Sequence, residues 1–179
     1  MSNLNDLIPI PSKDVMNRGL SAAKESTMLR ILGKPGVLSK DCSNPGRTYA
    51  KLVKYGVDVG PFKVSGHSYA VESLLLIFQQ VKQEQPDVFS TVKTGGVLCV
   101  RSRRSNPSRF SNHSWGTAID LYFGGGVVRQ GLNQTQRGVY QLFPYFNNHG
   151  WYWGAEFSGD SVDSMHFELA EETILKLGQ

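Results

Sequence analysis

The sequence lacks long hydrophobic runs and is poor in cysteine. Its longest apolar run, residues 74–78, is far shorter than the eighteen or so residues of a membrane span, so we expect no span. The start of the chain also lacks the basic residues and apolar stretch of a secretion signal, which predicts a protein that is cytoplasmic as made. Its two cysteines, Cys42 and Cys99, are too few for a disulfide framework, and we expect them to be reduced, largely buried thiols.

The chain also has little net charge and is only mildly basic. It carries 19 Lys and Arg against 15 Asp and Glu, which gives a net charge of +4. The one dense basic cluster consists of Arg101, Arg103, Arg104 and Arg109. Such a cluster can face nucleic acid, an anionic cell-wall polymer or acidic groups of a substrate. The interleaved Ser and Pro, with few aromatics nearby, disfavour nucleic acid, and we expect no such partner.

The length of 179 residues suits one domain with a substantial core. We expect residues 1–30 to form an N-terminal arm and a helix packed on the core, and residues 31–179 to form the single functional domain. Within this frame, residues 1–13 are predicted to be a loosely held arm and residues 34–64 mostly loop. Hydrophobic spacing and capping signals predict helices over residues 15–32, 67–84, 134–148 and 170–177, and a short buried strand over residues 97–100.

Two further strands are predicted from alternating side chains. In residues 117–123, Asp120 lies on the face opposite Ile119 and Leu121, and in residues 165–169, His166 lies on the face opposite Phe167. Strands gathered in the middle of the chain, with helices before and after them, predict an α+β fold with a central antiparallel sheet flanked by helices.

These two strands place metal-ligating residue types at one cleft. If the strands pair, Asp120 and His166 point to the same side, and His113 lies just before the first strand. Two imidazoles and one carboxylate with an open fourth position suit a catalytic zinc ion.

Asp163 precedes His166 by three residues and is predicted to act as a general base, while Arg101 is predicted to stabilise an oxyanion or bind a substrate carboxylate. Glu168, on the same face as His166, is a candidate to accept an N–H from a ligand. The same ligand types also suit a non-haem iron site, although the spacing between His113 and Asp120 disfavours it.

The two motifs closely resemble a known family of zinc peptidases. Ser111-x-His113-x-x-Gly116-x-Ala118-x-Asp120 and Asp163-x-x-His166 are similar to the motifs of the D-alanyl-D-alanine carboxypeptidase and L-alanyl-D-glutamate endopeptidase family. This family includes vancomycin-resistance D,D-peptidases and phage endolysins, and it shares its fold with the zinc domain of Sonic hedgehog. Many members have Glu where this chain has Asp163, whereas phage members commonly have Asp. The resemblance covers roughly residues 65–168.

The resemblance implies a role for each matching residue. His113, Asp120 and His166 would be zinc ligands, Asp163 the catalytic base, and Arg101 the residue that polarises the scissile carbonyl, with Arg103 and Arg104 as alternatives. Ser111 would either fix its loop or touch substrate. Trp153 would either line the substrate groove or be a core aromatic. The other two histidines have simpler interpretations: His67 is expected to cap a helix or lie on the surface, and His149 to end a helix.

These observations predict a zinc-dependent peptidase that hydrolyses the stem peptides of bacterial peptidoglycan. The resemblance favours an L-alanyl-D-glutamate endopeptidase of the phage endolysin type, monomeric, that reaches the cell wall after release by a holin. Two alternatives remain open: a D-alanyl-D-alanine carboxypeptidase, dipeptidase or wall-peptide recycling enzyme, and a zinc-stabilised binding module without turnover. Retention of both Asp163 and Arg101 disfavours the binding module, because a structural zinc site needs neither.

Overall fold

The computed structural model describes residues 3–179 and has an α+β fold, as predicted. Among these residues, no helix is long and apolar enough to cross a membrane. The strands are β1 (Leu7–Pro9), β2 (Val53–Asp58), β3 (Lys63–His67), β4 (Lys93–Gly96), β5 (Ala118–Tyr122), β6 (Gln134–Gln136), β7 (Trp151–Trp153) and β8 (His166–Leu169). The helices are α1 (Glu25–Leu32), α2 (Ser68–Glu84), α3 (Pro86–Thr91), α4 (Arg137–Asn148) and α5 (Glu171–Leu177).

A four-stranded antiparallel sheet forms the centre of the fold. Its strands lie in the order β4-β5-β8-β7, and two-stranded sheets are formed by β1 with β6 and by β2 with β3. In the central sheet Asp120 lies opposite His166, and Ile119 lies opposite Phe167. Because side chains alternate along a strand, this register puts Asp120 and His166 on one face and the large apolar residues on the other.

The apolar face of the central sheet packs against α2 and α4. Phe167 stacks on Phe146 of α4 with ring centroids 4.3 Å apart, and Phe146 meets Phe78 of α2 edge to face. On β7, Trp151 is fully buried and donates its indole N–H to the hydroxyl of Ser73 in α2. This packing anchors β5 and β8 from one side and leaves their other face free for a site.

The prediction of a helix over residues 15–32 was wrong for its first half. The helix α1 begins only at Glu25, because Asn17 has a left-handed backbone (φ 52°) and Gly19 follows with φ 71°. Asn17 is buried and its side chain bonds to the backbone of Trp153, far away in sequence. The arm predicted over residues 1–13 lies partly outside the described residues, but its described part is not loosely held, since residues 7–9 form β1 and pair with β6.

Other parts of the chain also bear on the predictions. Residues 34–64 are mostly irregular, as predicted, but they also contain β2 and the start of β3, which form a hairpin. The buried strand predicted over residues 97–100 is replaced by β4 just before it, and only Val100 makes an isolated bridge, to Ser43. Residues 134–136 belong to β6, so α4 starts at Arg137 instead of residue 134.

The two cysteines form a disulfide and are not the free, buried thiols that were expected. Cys42 is exposed and Cys99 is half-buried. The antiparallel bridge between Ser43 and Val100 brings the two backbones together, so the Cα atoms of the cysteines lie 5.2 Å apart. The prediction failed because this bridge joins segments 57 residues apart, which composition alone does not reveal.

Candidate metal centre

Three predicted ligands come together at the polar face of β5 and β8. Asp120 and His166 face each other across the two strands. His113 lies in a short 3₁₀ turn, Asn112–Trp115, directly before β5. Gly116 ends this turn with φ 63°, and a side chain there would collide with the backbone of Gly66 and His67. The glycine therefore lets the chain turn sharply, so that His113 reaches the same face as Asp120.

Distances within this group suit one metal ion. The Nε2 atom of His113 lies 3.3 Å from Oδ2 of Asp120, and the Nδ1 atom of His166 lies 3.1 Å from Oδ1. One ligand atom from each residue fits within a mutual separation of 4.8 Å. Ligands at about 2.0–2.1 Å from a tetrahedral zinc ion lie about 3.3 Å apart, so the donor set fits zinc in both type and spacing.

The other ring nitrogen of each histidine is held by an acceptor. Nδ1 of His113 lies 2.8 Å from the carbonyl oxygen of Val97, and Nε2 of His166 lies 2.8 Å from Oε2 of Glu168. These oxygens only accept hydrogen bonds, so in the neutral imidazoles the facing nitrogens carry the hydrogen. The remaining nitrogens, Nε2 of His113 and Nδ1 of His166, then turn their lone pairs toward Asp120. Such outer contacts are typical of metal-binding histidines.

Burial and mutual charge dominate the electrostatics of the group. Burial acts to raise the pKa of Asp120, but His113 and His166 outweigh it and hold that pKa well below its usual value. Burial acts to lower the pKa of His166, yet hydrogen bonds with Asp120 and Glu168 raise it well above the usual value. A carboxylate that stays ionised between two imidazoles is a suitable ligand for a divalent cation.

The predicted base, Asp163, lies beside these ligands. Its backbone N–H donates to the carbonyl oxygen of Gly154, and its own carbonyl accepts the N–H of His166. Burial raises the pKa of Asp163, which lines the same cleft as the three candidate ligands. Its Oδ1 atom is buried and, among residues 3–179, has no hydrogen-bond partner. Asp163 also lines the cleft, and a carboxyl there suits a proton-transfer role.

All three candidate arginines line the cleft, and Arg101 lies beside the turn that carries His113. Its backbone is fixed by hydrogen bonds to and from the Ser114 hydroxyl, next to His113. Burial and the charge of Arg104 lower the pKa of Arg101, while the charge of Asp120 acts to raise it. Nη1 of Arg101 donates to the carbonyl of Ser102, Nε of Arg103 donates to the carbonyl of Phe110, and Arg104 is exposed.

The two residues predicted to bind substrate have different positions. Ser111 lines the cleft, and its N–H donates to the carbonyl of Arg101, so it also anchors the loop. The structure does not bring Trp153 to the cleft. Trp153 pairs with Phe167 in register, is fully buried and stacks on Phe143 in the core. Its indole N–H donates to the carbonyl of Ser164, so it supports the segment between Asp163 and His166 from behind.

Several residues near the centre were missed by sequence reasoning. Tyr152 lies between two core tryptophans and opposite Glu168, so strand alternation along β7 could have placed it on the cleft face. The ring of Phe157 lies 5.9 Å from that of His166 and also lines the cleft. Ala22 and Ala23 form part of the cleft wall, which no local pattern indicates because they reach it from the N-terminal segment.

The remaining two histidines of the chain cap helices. The imidazole of His67 accepts the backbone N–H of Tyr69 at the start of α2, although it is buried and not on the surface. His149 ends α4, where its Nδ1 lies 2.9 Å from the carbonyl oxygen of Tyr145. Neither contributes to the candidate metal centre.

The centre opens into a cleft of about 760 Å³. One arginine-rich wall carries Arg101, Arg103 and Arg104, and the loop after β5 adds Arg129. The floor carries the three candidate ligands and Asp163. A metal-ligating floor under a basic wall suits an extended substrate that bears carboxylates.

Comparison with known families agrees with this arrangement. The geometry suits a metal centre, and a family model described as D-alanyl-D-alanine carboxypeptidase matches residues 104–169. This match includes both motifs and supports the family predicted from them. No curated protein matches the chain.

Proposed function

We propose that this protein is a zinc-dependent peptidase that cleaves the stem peptides of peptidoglycan as an L-alanyl-D-glutamate endopeptidase of the endolysin type. The observation that carries the proposal is the group of His113, Asp120 and His166 with the buried carboxyl of Asp163 beside it. The family match to peptidases of the bacterial wall supports the substrate class. The net charge of +4 would favour approach to an anionic wall.

The three ligands would hold zinc, which when bound supplies a Lewis acid and a water of lowered pKa. Asp163 would accept a proton from the attacking water through its carboxylate and then deliver that proton to the leaving amine. Its raised pKa moves it closer to the range in which a carboxyl can do both. The guanidinium of Arg101 would bind the carbonyl oxygen as negative charge develops on it.

The basic wall supports an anionic stem peptide as substrate. In a stem peptide, D-Glu is linked through its side chain, so its α-carboxylate remains free next to the L-Ala–D-Glu bond. Charge-assisted hydrogen bonds from an arginine to this carboxylate would position the bond over the ligands. Arg103, Arg104 and Arg129 all line the cleft and are available for this contact.

Digestion of purified peptidoglycan tests the proposal directly. The zinc-loaded protein is incubated with peptidoglycan, and the products are identified by mass spectrometry, with chelated protein and Asp163→Ala as negative controls. Asp160→Ala is the matched control, because Asp160 is an exposed carboxylate on the same loop. New L-Ala and D-Glu ends that disappear in both negative controls are expected. Undiminished turnover in chelated protein and in Asp163→Ala would refute the mechanism.

A second candidate is a D-alanyl-D-alanine carboxypeptidase or dipeptidase, which the description of the matching family model favours. A terminal D-Ala carboxylate could bind the same arginines. Release of free D-Ala without new D-Glu ends would identify this activity. Tight zinc binding with no product at all would instead favour a binding module.

A further inference from the structure

Glu168 is a buried carboxylate on the same face of β8 as His166, two residues along the strand. It is 3% exposed, and both of its oxygens make contacts. Oε2 lies 2.8 Å from Nε2 of His166, and Oε1 accepts the backbone N–H of Ala23 at 3.0 Å. We propose that Glu168 is a positioning residue that fixes the ring orientation and tautomer of His166, so that Nδ1 is presented as a metal ligand. This inference rests on the proposed metal centre.

The contact selects one nitrogen of His166 for the metal. A carboxylate facing Nε2 keeps the hydrogen there, which leaves the lone pair on Nδ1. Without this acceptor, the ring could take the other tautomer or turn about its side-chain bonds, and Nδ1 would no longer be held near Asp120. His113 obtains the same constraint from the backbone carbonyl of Val97, which mutation of a side chain cannot remove. Of the two contacts that orient the histidines, only the one from Glu168 can therefore be removed by mutation.

Folding alone does not account for this buried carboxylate. Among residues 3–179, the only side chain that forms an ion pair with Glu168 is His166, and no lysine or arginine joins it. Removing a carboxylate from water is costly, and the pairing with one imidazole and one backbone N–H returns only part of that cost. Opposite it on β5 lies Ala118, whose small side chain leaves room for the carboxylate beside the ligands.

The N-terminal segment, which lies outside the peptidase motifs in the sequence, packs against Glu168. The backbone N–H groups of Ser21, Ala23 and Lys24 donate to Glu172, Glu168 and Glu171, respectively. Ala22 and Ala23 thereby become a wall of the cleft, although they lie outside the matched residues 104–169. Of these three carboxylates, only Glu168 also contacts a candidate ligand. Glu171 is a natural control, because it is buried and anchors the same segment without touching His166.

Zinc affinity measured with a chromogenic chelator tests the proposal without relying on activity. Loss of an outer contact to a metal-binding histidine typically weakens metal binding about 10–100-fold, and we expect this for Glu168→Ala. Glu168→Gln keeps the size of the side chain but has one acceptor oxygen for two donors, so we expect an intermediate loss. Glu171→Ala should bind zinc as the wild type does, although it also loses a buried carboxylate. Circular dichroism verifies that each variant is folded.

The cobalt form supplies a second readout. Its visible absorption reports the ligands and their geometry, so Glu168→Gln should change the spectrum while Glu171→Ala should not. Wild-type zinc affinity and spectrum in Glu168→Gln would overturn the inference, as would equal weakening of zinc binding in Glu171→Ala. If the wild-type protein bound no zinc, the metal centre and this inference would both fall. If it bound zinc but cleaved no peptidoglycan, the proposed function would fail while this inference could still be supported by the affinities.

Discussion

Replacement of Gly154 by alanine directly tests how the segment from Asp163 to His166 is held in place. Gly154 follows β7, and its carbonyl accepts the N–H of Asp163. A Cβ atom at this position would lie 2.7 Å from the carbonyl oxygen of Asp163 and 3.2 Å from Cβ of His166. The first separation is shorter than real Cβ contacts, so the backbone at Asp163 must move. Because that same carbonyl accepts the N–H of His166, the displacement should reach the metal ligand as well.

The expected loss is larger for catalysis than for stability. Overpacking of a buried position costs about 1–3 kcal/mol in the free energy of unfolding. Misplacement of a catalytic group by about 1 Å can reduce the rate about 100-fold. We therefore expect Gly154→Ala to reduce kcat for peptidoglycan cleavage by about 10–100-fold while the protein remains folded.

Initial rates of peptidoglycan digestion at saturating zinc, together with urea unfolding, measure both effects. Gly126→Ala is the matched control, because a Cβ there meets nothing within 4 Å and its φ is not in the left-handed region. This control should be close to wild type in both measurements. A Gly154→Ala protein with wild-type kcat and wild-type stability would refute the close packing of Gly154 against Asp163.

Three further predictions concern the base, the disulfide and the core. Asp163→Asn should lower kcat by about 10²–10⁴-fold with zinc content unchanged, measured by digestion rates and metal analysis; an unchanged kcat would exclude Asp163 as the base. Reduction of the Cys42–Cys99 bond, which spans 57 residues, should lower the free energy of unfolding by about 2–4 kcal/mol in urea titrations, and an unchanged midpoint would contradict this. Phe167→Ala should cost about 3–5 kcal/mol, because this fully buried ring stacks on Phe146; a loss below about 1 kcal/mol would show that the core is packed differently.

The candidate centre could be predicted from the sequence because its signals are local. Alternation along residues 117–123 and 165–169 indicates which side chains share a face, and the structure pairs Asp120 with His166 as that alternation requires. Gly116 has the positive φ expected of a glycine that bends the chain before a strand. The roles of these residues remain predictions that the experiments above test.

Features that depend on distant contacts were missed. Asn17 adopts its left-handed backbone because its side chain bonds to Trp153, and nothing in the local pattern of residues 15–32 reveals that partner. The disulfide depends on a bridge between two irregular segments. Trp153 was ambiguous because its burial follows from its register with Phe167, which becomes visible only once β7 and β8 are paired.

Zinc titration of the chelated protein, with release of new amino termini from peptidoglycan as the readout, tests the central claim most directly. If His113, Asp120 and His166 hold the catalytic metal, activity should rise from zero to a plateau at an equimolar amount of zinc. Asp120→Ala should not recover activity at the same zinc concentration. Full activity in the chelated protein, or recovery of Asp120→Ala to the wild-type plateau, would contradict the account.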